Sequence, residues 1–198
     1  MTRSLFRMGM LVSMLVATPL AQASIIKYAV DLQGPASSGM GSASSGMGSA
    51  LITVDDVLNT MELDVMFSGL VGTTTSAHIH CCTALPFTGN EGVATKMPTF
   101  AGFPSGVNAG TYMQIFDMTD AASFNAAFIT ANGGTVAAAS TALFNGMMLG
   151  EAYLNIHTSS APGGEIRGVL TQVPEPATLA LFGIGMVGML SQRRRKLA

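Results

Sequence analysis

The stretch Thr60 to Leu70, TMELDVMFSGL, leaves the chain little choice of local structure. Met61, Leu63, Val65 and Phe67 alternate with Glu62, Asp64 and Met66. A two-residue period puts the first set on one side of an extended backbone and the second set on the other, which is the pattern of a half-buried β-strand. ALITVDD just before it reads as a neighbouring strand, with Asn59 near the turn. KYAVDL, with Tyr28 and Val30 on one face, SAHIH, EAYLNIHT and GEIRGVL read as further strands, and Pro162 with two glycines in APGGE makes a hairpin turn between the last two. Ahead of EAYLNIHT the period changes. Thr119 can cap a helix over DAASFNAAFITAN, with Phe124 and Phe128 one turn apart and Gly133 as its stop. VAAASTALFNG predicts a second short helix ending at Gly146. Short alternating strands with glycine-rich turns predict a mainly β, antiparallel sandwich or barrel with one or two short helices. Aromatic residues are few, so small aliphatic side chains and methionine must fill its core.

Both ends of the chain depart from this pattern. Residues 1–23 read as an export signal: Arg3 and Arg7, then the apolar run MGMLVSMLVATPL, then AQA with small residues at Ala21 and Ala23. Cleavage after Ala23, by signal peptidase, would leave Ser24 first. Residues 173–198 hold VPEP, an apolar run from Ala177 to Leu190, and the basic end Arg193, Arg194, Arg195 and Lys196. As a helix, 177–190 would span about 21 Å, short of a hydrocarbon core of about 30 Å. The basic cluster belongs on the cytoplasmic side, which agrees with export of everything before it.

Between the ends, residues 24–172 make one domain with ten acidic and three basic residues, a net charge of −7. No basic patch is present to meet a phosphate backbone, which argues against nucleic acid as a partner. SSGMGSA occurs twice in tandem, at 37–43 and 44–50, and reads as a local duplication in a loop or at a strand edge.

Two resemblances bear on these segments. The tripartite tail, in motif, apolar helix and basic end, resembles the PEP-CTERM sorting signal of Gram-negative bacteria. The resemblance implies a tail held briefly in the inner membrane and processed by an exosortase, and a protein delivered to the cell surface or outside it. FSGLVGTTTSAHIH, NGMMLGEAYLNIHT and APGGEIRGVL, in that order, resemble the CHRD domain, named from chordin, over about residues 25–171. This implies an immunoglobulin-like or superoxide-dismutase-like β-sandwich and brings no catalytic residue set. The leading expectation is therefore an exported, non-enzymatic protein of the envelope or extracellular matrix, with an unknown surface partner. The alternative is a secreted or periplasmic copper or zinc protein.

That alternative rests on His78, His80 and His157. The chain has three histidines and two cysteines, and SAHIHCC holds four of the five. On a strand His78 and His80 share a face, with Ile79 opposite; in YLNIHT, Tyr153, Asn155 and His157 share another, with Leu154 and Ile156 turned to the core. The turn sets Glu165 and Arg167 on the ladder beside His157. That SAHIH lies next to this hairpin comes from the resemblance alone. Three neutral imidazoles suit Zn²⁺ or Cu²⁺, with Glu165 as a further ligand or an acceptor behind the ligands. The other reading is a polar network joining the histidines to backbone groups and to Asn155 or Glu165. No serine or carboxylate is placed as a nucleophile or base, so no catalytic residue is assigned. For Cys81 and Cys82, adjacent Cα atoms are about 3.8 Å apart across a trans peptide, closer than an ordinary disulfide's 4.4–6.8 Å. Three outcomes stay open: a vicinal disulfide, which we take as the expectation for an exported chain, soft metal ligands beside the histidines, or a disulfide to a second chain.

Overall fold

The computed structural model describes residues 25–34 and 44–174. The export segment 1–23, the apolar run 177–190 with its basic end, and the first SSGMGSA copy lie outside the described residues. The described chain forms β1 (Ile25–Gln33), β2 (Met47–Asp55), β3 (Thr60–Ser68), β4 (Thr74–His80), β5 (Gly110–Asp117), a 3₁₀ turn (Ala121–Ser123), α1 (Ala126–Ala131), α2 (Val136–Met148), β6 (Tyr153–Thr158), β7 (Ile166–Val169) and β8 (Thr171–Val173). The strands make one eight-stranded antiparallel sheet in the order β4-β6-β7-β1-β2-β3-β5, with β8 also on β1. The sheet curls on itself, so the two-layered β fold expected from the sequence is built from a single sheet with two short helices.

Register follows the alternation. Tyr28 pairs with Ile52 and Ile52 with Leu63; Val30 pairs with Ala50 and Ala50 with Val65. These rows face the core, and a slip of one residue would turn all of them to water. From the other half of the sheet Ile79, Leu154, Ile156 and Ile166 join the same core. Helix α2 adds Ala139, Leu143 and Met147 to it. The loop after β4 adds Phe100 and Phe103, whose rings meet Phe116 at 5.4 Å and Tyr112 at 5.2 Å.

The helical segment differs from the sequence reading in its ends. Thr119 is not a cap; its hydroxyl donates to Asp117 Oδ1. Asp120 caps the 3₁₀ turn, Asn125 caps α1 and Thr135 caps α2, each accepting a backbone N–H with its side-chain oxygen. Helix α2 also runs past Gly146, which is buried within it, to Met148, and Gly150 with φ +73° follows. Gly146 serves packing, and Gly150 has the left-handed conformation that ends helices.

Strand β4 is one edge of the sheet, and it is covered. Ile79 N–H donates to Thr95 Oγ1 at 3.0 Å and Ala77 N–H to Thr99 Oγ1 at 3.0 Å, while Ala94 and Phe100 N–H donate to the carbonyls of Ile79 and Ala77. Segment 91–107 thus plays the part of a neighbouring strand through threonine hydroxyls, and the edge groups are satisfied. The same segment folds over the face of β4 that points away from the core.

Candidate metal centre

On that outer face the ladder places Ser76 opposite His157, His78 opposite Asn155 and His80 opposite Tyr153, and the next ladder places Asn155 opposite Arg167. Alternation therefore delivers three imidazoles to one spot from two strands. One ring nitrogen from each of His78, His80 and His157 lies within 4.8 Å of the others. The ring centroids are 5.2 Å apart for His78 and His157, 5.8 Å for His80 and His157 and 6.0 Å for His78 and His80. His78 and His80 are buried and His157 is half-buried.

Each ring is held by a backbone carbonyl. His78 Nε2 lies 2.6 Å from Pro98 O, His80 Nδ1 2.8 Å from Glu91 O, and His157 Nδ1 2.8 Å from Pro162 O. A carbonyl only accepts, so the proton of each neutral imidazole sits on that nitrogen. The lone pairs left over are on His78 Nδ1, His80 Nε2 and His157 Nε2, and all three atoms are buried without a hydrogen-bond partner. Burial pushes all three rings below the ordinary histidine pKa, against the pull of their carbonyl partners, and His80 falls to about 4. Neutral rings with bare, converging nitrogens are the form that coordinates a metal ion. A tetrahedral zinc with bonds of 2.0–2.1 Å holds its nitrogens about 3.4 Å apart, so the rings would have to draw in from the 4.8 Å that bounds the group here.

A stack braces the group. The Tyr153 ring lies 4.8 Å from His80 and within 9° of parallel to it. The Arg167 guanidinium sits 3.9 Å from the Tyr153 centroid, on Asn90 Oδ1 and Gly89 O. Tyr153 Oη accepts from Glu91 N–H and donates to Glu91 O, so the carbonyl that holds His80 is itself held.

Other residues expected here are placed elsewhere. Glu165 gives both carboxylate oxygens to Ser44, Thr158 and the N–H groups of Val71 and Gly72, and no hydrogen bond joins it to an imidazole. Burial raises its pKa, but these four bonds outweigh that and the net shift is downward. Its work is to tie the β3–β4 connection to the β6–β7 hairpin. Cys81 and Cys82 are bonded to each other, with S–S 1.96 Å, and the peptide between them is cis, with Cα–Cα 3.0 Å, where the sequence argument took it as trans. The sulfurs lie on Gly146 of α2, where a Cβ would collide with both, and neither belongs to the imidazole group. Among the described residues the site thus consists of the three histidines with Tyr153, Arg167 and Asn155 around them.

The blocks that build this face, SAHIH and YLNIHT with GGEIRG, fall inside a match to the family model of the CHRD domain over residues 28–170. The chain belongs to the CHRD domain family. A second family model, the PEP-CTERM protein-sorting motif, matches residues 172–196. No curated protein and no solved structure matches the chain. The protein is an exported CHRD-domain protein carrying the exosortase-type sorting signal of Gram-negative bacteria, whose destination is the cell surface or the medium. That signal implies an encounter with an exosortase and with signal peptidase during export. Among the described residues no helix is long and apolar enough to cross a membrane.

Proposed function

We propose that this CHRD domain is a surface module that binds one transition-metal ion, Cu²⁺ or Zn²⁺, through His78 Nδ1, His80 Nε2 and His157 Nε2. The observation that carries the reading is the set of three partnerless buried lone pairs, each on a ring whose other nitrogen donates to a carbonyl. Leaving a buried polar atom without a partner costs about 1–3 kcal/mol, and three at one place call for a common partner. Imidazole nitrogen suits both ions, and the usual affinity order favours copper over zinc at equal availability. No carboxylate or thiolate belongs to the group, which supports binding rather than acid–base or thiol chemistry. Before processing, residues 177–190 hold the chain in the inner membrane, and the finished module acts at the surface.

The test is metal content. Protein purified without an affinity tag and equilibrated with either ion should hold one equivalent per chain after desalting, and His80→Ala should hold none while keeping its fold. A folded wild type that leaves desalting without copper or zinc would return the histidines to a purely structural part, as ties from β4 and β6 to the covering loops.

A further inference from the structure

Among the described residues a fourth buried side-chain atom has no partner, Asn155 Oδ1. Its residue belongs to the same outer face of the sheet as the three lone pairs. Asn155 is directly across the ladder from His78 and two residues along β6 from His157, on the same face, and it is 3 % exposed. Its orientation is set from the far end: Nδ2 donates to Gly163 O at 3.1 Å. The amide oxygen is therefore the atom left over. Gly164, with φ +119°, makes room for it, since a Cβ there would collide with the amide.

We propose that the three-imidazole centre keeps one exchangeable coordination position and that Asn155 Oδ1 faces the ligand held there, selecting ligands that carry a proton, water or hydroxide, over small anions that carry none. This rests on the metal reading above. Three neutral nitrogens leave one position of a tetrahedral ion to be filled, and no acidic or thiol side chain of the group fills it. His157 is half-buried while His78 and His80 are buried, so its side of the group is the one from which a small solute would enter. The ion would keep its full charge, and the Arg167 guanidinium is buried on the same face, so hydroxide and other small anions are all drawn in. An amide oxygen only accepts. It completes a hydrogen bond to an O–H ligand and turns its own lone pairs against azide. Asn155 is on this account a positioning residue that chooses among ligands.

Copper(II)-loaded wild type, Asn155→Leu and Asn155→Asp would be compared by azide titration, read from the azide-to-copper absorption band, with copper content measured on each sample. Both substitutions lose the Nδ2 bond to Gly163; only Leu loses the acceptor. Azide should bind about tenfold tighter to the Leu variant, the size of one hydrogen bond, and no tighter than wild type to the Asp variant. Asn155→Ala removes the same acceptor with less bulk and carries the same expectation if the Leu variant does not fold. Equal azide affinity in all forms, or equal tightening in Leu and Asp, overturns the inference while normal copper content leaves the metal reading standing. A wild type that takes up no copper removes both.

Discussion

His80 shows most clearly what the outer face demands of a single side chain. It is held below the ordinary histidine value, at about 4, first by burial and then by the neighbouring His157, His78 and Arg167, against the Glu91 carbonyl that favours its protonated form. A group whose pKa is lowered on folding binds protons more readily in the unfolded chain, so stability falls as pH falls. For the metal-free protein the full contribution is present above 6.5, the ordinary value, and is lost progressively down to about 4. The His80 shift alone corresponds to roughly 3 kcal/mol. His78 and His157 act in the same direction, and Glu165 adds a further loss below its ordinary 4.5. Urea unfolding of chelator-treated protein between pH 7.5 and pH 4 should show this decline, and His80→Gln should flatten it. A midpoint that stays level over that range in the wild type would contradict the burial argument.

Strand β4 carries two of the three histidines, so its covered edge decides how well the site is held. Thr95 is 1 % exposed and accepts the Ile79 N–H, between His78 and His80. Thr95→Val keeps the shape and deletes the acceptor, leaving a buried N–H unsatisfied. The expected cost is about 1–3 kcal/mol, seen as a lower denaturant midpoint, together with weaker metal retention because the strand between the two ligands is loosened. A variant as stable as wild type would show that the loop does not secure this edge. This element also marks how far the sequence could be read. Strands β1, β2 and β3 were legible because buried and exposed residues alternate in each, whereas β4, β6 and β7 are buried on both sides and were legible only as short runs in which apolar and polar residue types alternate. Strand β5 was not: its outward Met113 and Ile115 are 68 % and 59 % exposed, so GTYMQIFD is apolar on both sides and shows no period. The shared face of His78 and His80, and that of Asn155 and His157, followed from the two-residue period. The ring partners did not, because Pro98, Glu91 and Pro162 contribute backbone carbonyls that any residue has. Glu165 was expected near His157 from ladder position alone, and Ser44, whose hydroxyl it accepts, is distant in sequence.

At the scale of the whole molecule the sheet and the sorting signal share a boundary. The CHRD match ends at residue 170 and the PEP-CTERM match begins at 172. Strand β8, Thr171–Val173, nevertheless pairs with β1 at Lys27, Tyr28 and Ala29. The first residues of the sorting motif therefore belong to the folded sheet. β1 begins at Ile25, just after the expected cleavage following Ala23, so export processing leaves that strand whole. The same logic applies at the other end. A cut before Thr171 would strip β8 from β1 and uncover backbone groups there, while a cut at 173–176 leaves the pairing intact. Processing on both sides is thus expected to stop at the edges of the sheet. Intact-mass measurement on protein recovered from the surface or medium of its native host should give a chain that begins at Ser24 and ends between residues 173 and 176. A released product that still carries the basic end, or one that ends before Thr171, would show that the boundary of the fold does not set the boundary of the mature protein.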